Sequence, residues 1–449
     1  MPDQKFSAGV CTLGCRVNQY ESECVISGFT DLGFEIKDFG DVCDVYVINT
    51  CAVTAGSDKK SKQMIRRAKK QNKDAVIAVC GCFSQNNPEA FKTELAADIV
   101  IGTYEKTKIP KFALDILNGV RPENNILVKN TKEYKTYENI SAGRSKKTRA
   151  YIKIQDGCDC KCSYCVIPGL RGASRSREYG HILDEVKHFD EAGCREIVLT
   201  GIEISSYGKD FKDEKFDLVQ LLEKLDSDPQ LGNISSIRLS SVDPSLIKKD
   251  FINRLAALKK IANHFHLSLQ SGSTAVLSAM RRKYGAETAL KDIEYAKQKI
   301  KDLNLTADII VGFPGETEKD FEKSLEVVKA LDIYHAHIFK YSKREKTPAA
   351  DFAGQISENI KNSRSRKISE ACAEIKEKIH RRNLGTEFFV IVENKEGGYY
   401  TAKTKNFFDV KIKAGFEESP PPAARIKIFD YDKDYLYGEI VDKGYSDMI

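Results

Sequence analysis

From Lys5 to about Gly119, short apolar runs alternate with amphipathic stretches. VYVINT (45–50) and AVIAVCG (75–81) are continuous and rich in β-branched residues, the pattern of strands buried on both faces. Between them, Ser57–Gln71 reads as a basic helix. A βαβ rhythm predicts a doubly wound parallel sheet over residues 1–120, with loops gathered at the C-terminal strand ends. Residues 121–148 are polar with few large aliphatic side chains and read as a linker with some local strand.

The rhythm restarts over residues 149–383. Candidate strands are YIKIQ (151–155), EIVLTG (196–201), SIRLSS (236–241), HFHLSLQ (264–270), TADIIVG (306–312) and HAHIFKY (335–341). Helices such as Leu183–Ala192 and Glu318–Leu331 separate them. Consecutive β/α units of this kind predict a full or partial β/α barrel, whose chemistry sits at C-terminal strand ends. Thr200, Ser240, Ser241, Gln270 and Ser271 lie at those ends, either as binding groups or as caps on core strands. A charged helix follows over 357–383. Residues 384–449 change to short alternating strands broken at Pro420, Pro421 and Pro422, which predicts a small all-β barrel. The class is α/β with three domains.

Composition narrows the possibilities. The chain has 449 residues, and domains run to roughly 100–200 residues. No apolar run approaches the ~18–20 residues of a membrane helix, and MPDQKFSAGV lacks the pattern of a signal peptide. A cytoplasmic protein without membrane contact is expected. Thirteen cysteines in a long chain without secretory features are not a disulfide scaffold. Cys24, Cys194 and Cys372 fit small buried side chains; the clustered ones need another account.

The segment QDGCDCKCSYCVIPGLRG (155–172) follows the first barrel strand. Cys158, Cys162 and Cys165 have C-x3-C-x2-C spacing, so a strand-end loop brings three thiolates to one cluster and leaves its fourth iron open. A structural zinc knuckle with Cys160 as fourth ligand is the competing reading. In the N-terminal domain, CTLGCRVNQYES, INTCAVT and VCGCFSQ place Cys15, Cys51 and Cys82 after successive strands. Loops at one sheet edge converge, so these form either a second trio or three unrelated buried thiols. Cys11 and Cys80 lie inside strand-like runs, whereas Cys15 and Cys82 each follow a glycine. Cys43 has no neighbouring motif.

The C-x3-C-x2-C loop on a β/α barrel, with Tyr164 before the last cysteine, resembles the radical-SAM superfamily. Adding the N-terminal trio and the C-terminal β domain, the whole chain resembles the radical-SAM methylthiotransferase family. LQSGS (269–273), MRRKY (280–284), DIIVGFPGET (308–317) and YSKREKTPAA (341–350) look like family segments, except that Glu345 and Lys346 replace the family's proline and glycine. The resemblance implies two 4Fe–4S clusters, held by Cys158, Cys162 and Cys165 and by Cys15, Cys51 and Cys82, together with S-adenosylmethionine (SAM). It places SAM contacts at Tyr164, Gly201, Glu203, Ser241 and Gln270, with Cys160 a bystander. It implies a C–H to C–SCH3 conversion and an electron donor such as a flavodoxin or ferredoxin.

TLGCRVNQYES, NTCAVT and LTGIEISSYG (199–208) look most like the branch that modifies N6-threonylcarbamoyladenosine in the tRNA anticodon stem–loop. The other branches act on isopentenyladenosine in tRNA or on a ribosomal-protein aspartate. The C-terminal barrel resembles an RNA-binding TRAM domain, yet residues 385–449 carry nine Lys/Arg against twelve Asp/Glu. An acidic barrel is a poor phosphate binder. Candidate basic surfaces are Lys59–Lys70, which reads more readily as a solvated helix face, Arg144–Arg149 and Lys361–Lys367; the expected RNA contact is Arg171, Arg175 and Arg177 after the cluster loop. Tyr399, Tyr400, Phe407 and Phe408 suit either base stacking or a barrel core.

Overall fold

The computed structural model describes residues 5–121, 123–143, 147–212, 216–413 and 421–442. Arg144 of the expected basic stretch and Pro420 lie outside them. The first sheet contains β1 (Ser7–Thr12), β2 (Glu35–Lys37), β3 (Val45–Thr50), β4 (Val76–Gly81), β5 (Ile99–Ile101) and β6 (Ile126–Leu127), ordered β2-β1-β3-β4-β5-β6. All its pairings are parallel. Strands β3 and β4 are buried at every position, as expected of unbroken apolar runs covered on both faces. Helix α1 (Arg16–Asp31) packs Val25 and Phe29 on one face, and α2 (Ala55–Gln71) packs Ile65 and Ala68 on the other. The segment expected as a linker supplies β6 and buries Tyr134, Ile140 and Ala142.

The second domain is an open barrel of parallel strands. Its strands are β7 (Arg149–Lys153), β8 (Glu196–Thr200), β9 (Ser236–Leu239, continued by Ser241–Val242), β10 (His264–Gln270), β11 (Asn304–Val311) and β12 (Ile333–Lys340). The two parts of β9 pair with β8 and with β10, so two half-sheets form one curved wall. Phe265, Leu267, Ala307 and Ile309 share a core with helix residues Ile293, Phe321 and Val328. Side chains one position along therefore face the concave interior. The charged helix Glu358–Arg382 leads to a closed barrel of β13 (Glu387–Glu396), β14 (Tyr399–Thr404), β15 (Asp409–Lys413), β16 (Ala423–Tyr431) and β17 (Leu436–Asp442). Phe408 lies in its core, and Phe407 stacks on His264 with ring centroids 4.3 Å apart. This loop plugs the N-terminal end of the open barrel.

A buried charged network joins the first two domains. Arg171, with no solvent exposure, donates to Glu21 Oε1 at 2.8 Å, Glu21 Oε2 at 3.0 Å, Asp156 Oδ1 at 3.0 Å and Asn18 Oδ1 at 2.8 Å. Lys153 Nζ donates at 2.7 Å to both Glu21 and Asp156, and Lys106 also pairs with Glu21. These contacts overturn the expectation of an RNA-binding arginine loop. Arg175 and Arg177 are equally internal, paired with Asp156 and Glu185. Charges this deep persist only when paired, and paired they cannot reach phosphates. Lys361 and Arg364 are likewise buried, against Glu358 and Glu316.

Removing one partner from such a network leaves uncompensated charge. Arg171→Met should lower the unfolding free energy of the cluster-free protein by about 3–5 kcal/mol, read from urea denaturation.

Candidate active site

The N-terminal trio is built by turns. Gly14 and Gly81 adopt φ of 98° and 104°, where a side chain is strained. A Cβ on Gly81 would lie 2.3 Å from Thr50 O, and one on Gly14 would lie 2.9 Å from Cys51 Sγ. Each glycine swings the next residue out of the sheet. Cys15 becomes the exposed N-cap of α1, and Cys82 opens the helix after β4. Cys51 follows β3 directly. Strands β1 and β3 flank the point where the sheet order reverses, the usual site of ligand binding in such sheets. Burial raises the Cys51 and Cys82 thiols, and the nearby Cys15 charge raises both further. The Arg171 guanidinium acts on Cys82 in the opposite direction. Cys80 packs in the apolar core on the α1 face, with burial pushing its thiol up to about 12. Cys43, Cys24, Cys194 and Cys372 are buried.

The second trio lies in the loop after β7. Backbone bonds pin this loop: Ser163 N donates to Met280 O at 3.0 Å, and Ala349 N donates to Ser163 O at 2.8 Å. Tyr164 packs with Val276, Met280, Ile310, Phe313 and Tyr341 beneath the loop. Cys158, Cys160, Cys162 and Cys165 are all half-buried free thiols. Burial pushes Cys165 up to about 12, so ligation must displace its proton. Tetrahedral zinc, with Zn–S bonds of about 2.3 Å, holds its sulfurs about 3.8 Å apart. Among the described residues, no three of these cysteine sulfurs lie within 4.8 Å of one another.

A small open cleft of about 50 Å³ adjoins the loop, lined by Cys160, Cys162, Glu203, Ser205, Asp243 and Arg282 among others. Glu203 caps the turn at 204–206, its Oε1 accepting from Ser205 N at 3.2 Å. Burial, then the Asp243 charge, raises the Glu203 carboxyl to about 7. Arg282 pairs with Asp243 and donates to Cys162 Sγ at 3.5 Å and Ser268 O at 3.2 Å. Gln155 Oε1 accepts from Glu203 N at 2.8 Å, and Gln155 Nε2 donates to Gly157 O at 2.7 Å, joining the two strand ends. Gly201 lies close against Gln155, where a Cβ would meet its carbonyl at 3.0 Å. Of the five expected SAM contacts, Glu203 lines this cleft. Tyr164 lies in the apolar layer, Gly201 packs on Gln155, and Ser241 continues β9. Gln270 ends β10 in a left-handed conformation, φ 63°. Asp243 and Arg282 were not picked out from the sequence. Asp243 could have been found as the Asx turn of SVDPS, and Arg282 as the middle of MRRKY.

Two family descriptions match: Radical SAM superfamily over residues 152–328, and Uncharacterized protein family UPF0004 over residues 7–102. The chain is 38% identical to the threonylcarbamoyladenosine tRNA methylthiotransferase of Bacillus subtilis (strain 168), covering 96% of this chain and 95% of that protein. The chain belongs to the radical-SAM methylthiotransferase family. The Aquifex aeolicus threonylcarbamoyladenosine tRNA methylthiotransferase is 35% identical over 91% of this chain and 96% of that one. A Clostridium tetani tRNA-2-methylthio-N(6)-dimethylallyladenosine synthase is 33% identical, covering 92% and 93%. In fold, the chain is similar to a radical S-adenosylmethionine methyltransferase, TsrM, from Kitasatospora setae, with TM-score 0.55 and 15% identity over 77% of each chain.

A methylthiotransferase of this family uses SAM with an iron–sulfur cluster, and these residues fit that need. Cys160 and Cys162 of the cluster loop line a cleft whose two carboxylates, Glu203 and Asp243, suit a cationic cofactor. Lys346 takes φ 67°, the left-handed geometry natural to the glycine of the family pattern. The turn is thereby kept, and Arg344 before it ties the loop to Asp58 of α2 at 2.8 Å.

Glu203 holds its proton more tightly folded than unfolded. Its contribution therefore falls as pH rises from about 4.5 to about 7. In cluster-free protein, Glu203→Gln should match wild type at pH 4.5 and exceed it by about 2 kcal/mol at pH 8, measured by urea unfolding.

Proposed function

We propose that this chain adds a methylthio group to C-2 of N6-threonylcarbamoyladenosine beside the tRNA anticodon. The observation that carries the reading is the pair of cysteine trios at strand ends of two domains locked together through Arg171. The names of the B. subtilis and A. aeolicus relatives support the substrate. Cys158, Cys162 and Cys165 would hold one 4Fe–4S cluster, and Cys15, Cys51 and Cys82 a second. With SAM bound, these groups supply radical hydrogen abstraction and sulfur transfer.

The chain's own residues bind and orient. Glu203 and Asp243 would hold the SAM amino group, a cation beside Glu203 favouring the ionised form of its carboxyl. Arg282 neutralises part of the charge beside Cys162. Ser241 and Gln270 hold the ribose or carboxylate from neighbouring strand ends, while Gly201 permits the close approach of Gln155. Tyr164 and its apolar neighbours exclude water below the loop.

The RNA surface follows from what the buried arginines leave. Lys59, Lys60, Arg66, Arg67 and Lys70 are exposed on α2 and form no ion pair among the described residues. This helix begins beside Cys51, so its basic face borders the N-terminal trio. Among the described residues no helix is long and apolar enough to cross a membrane. The enzyme would work on tRNA in the cytoplasm, with a flavodoxin or ferredoxin as reductant.

Anaerobic reconstitution should give about eight irons per chain, and about four in Cys15→Ala. Mass spectrometry of nucleosides after incubation with SAM and reductant should find the methylthio product on threonylcarbamoyl-bearing tRNA. Product only on isopentenyl-bearing tRNA, or on the ribosomal protein, would reject the branch.

Lys60→Glu with Arg67→Glu should weaken tRNA binding at every sequence. The slope of log affinity against log salt should fall by about 1–2 in filter-binding titrations.

A further inference from the structure

Inside the open barrel, three side chains from adjacent strands meet away from both cysteine trios. His266 Nε2 on β10 lies 3.1 Å from Asp308 Oδ1 on β11, and His337 Nδ1 on β12 lies 3.3 Å from the same oxygen. His266 Nδ1 in turn meets Thr306 Oγ1 at 2.8 Å, and that hydroxyl meets His264 Nε2 at 2.9 Å. His266 thus has both ring nitrogens engaged and fixes Asp308. His337 has only Nδ1 engaged, and its side chain is 57% exposed to the barrel interior.

We propose that His337, held by Asp308 and His266, anchors the carboxylate of the substrate's N6 substituent and so selects an anionic modified adenosine over a prenylated one. This rests on the function proposed above. Burial opposes ionisation of Asp308, yet hydrogen bonds from His266 and His337 lower its carboxyl to about 2. The ionised carboxylate directs the Nδ1 proton of His337 toward itself. A carboxylate at Nε2 would give the ring a charge-assisted hydrogen bond on each side.

Position supports the assignment. Asp308 lies two residues before Ile310, which packs with Tyr164 under the cluster loop. His266 lies two residues above His264, the floor capped by Phe407. In register His264 pairs with Asn304, six residues before Ile310, so at about 3.3 Å per residue the strand rises about 20 Å from the floor to the loop layer, room for a nucleobase with its substituent. On the opposite edge strand, Tyr151 carries the Arg16 guanidinium 5.2 Å from its ring centroid, and Arg16 directly follows Cys15. A prenyl group would give His337 Nε2 no partner, whereas a carboxylate does, and sites built to hydrogen-bond a substrate group discriminate against analogues lacking it.

The test is equilibrium binding of fluorescent anticodon stem–loops to the cluster-loaded enzyme. The RNAs carry N6-threonylcarbamoyladenosine, its carboxamide analogue, or unmodified adenosine. Wild type should prefer the carboxylate to the carboxamide by roughly 10- to 100-fold. His337→Ala and Asp308→Asn, with wild-type iron content, should reduce that preference to about 3-fold or less, as expected when a charge-assisted hydrogen bond is lost. An unchanged preference in His337→Ala overturns the proposal. So does an equal loss of affinity for all three RNAs, the mark of a merely structural role. A wild-type preference abolished by a chelator and restored by zinc also overturns it, since the trio would then act as metal ligands. If wild type keeps the preference but gives no methylthio product on the carboxylate RNA, the proposed reaction fails and the anchor stands.

Discussion

The ion cluster around Glu21 and Arg171 is the contact on which the rest of the structure depends. It binds α1, which begins at Cys15, to the strand and loop that carry Cys158, Cys162 and Cys165. Four cations, Lys106, Lys153, Arg171 and Arg175, face two carboxylates, Glu21 and Asp156. Of these, Arg171 and Lys106 oppose the rise that burial imposes on the Cys82 thiol. A network this deep gains little net stability over apolar packing, but it tolerates few alternative arrangements. That suits two reactive centres whose separation must be reproducible.

Around this joint the fold works by strand ends. Each trio sits where parallel strands stop and the backbone must turn, with glycines releasing Cys15 and Cys82 from their sheet. The open barrel leaves one side uncovered by strands, and the C-terminal barrel closes its lower end through Phe407 and Arg238, whose guanidinium lies 4.9 Å from the Phe407 ring centroid. The acidic C-terminal domain is thus attached by stacking and hydrogen bonds such as Asn304 to Asn406 at 2.9 Å.

Much of this was legible in the chain. VYVINT became a strand with the expected bounds because a continuous β-branched run has few other ways to bury itself, and HFHLSLQ because its polar and apolar positions alternate with period two. The charged stretch 357–383 became the helix Glu358–Arg382. The cysteine loops were visible because spacing within a turn is a local property. Phe407 and Phe408 went to packing rather than to free stacking surfaces.

The arginines after the cluster loop show where local reading stops. Arg171, Arg175 and Arg177 have the same composition on a surface as in an interior. Only the arrival of Glu21 and Glu185 from other elements decided which. The same holds for His266, Asp308 and His337, scattered in sequence and joined by strand register. The sequence by itself determined the elements, the cysteine-bearing loops and the family, because those depend on neighbours along the chain. Tertiary structure alone decided which charges are paired inside and which remain for RNA, because pairing depends on neighbours in space.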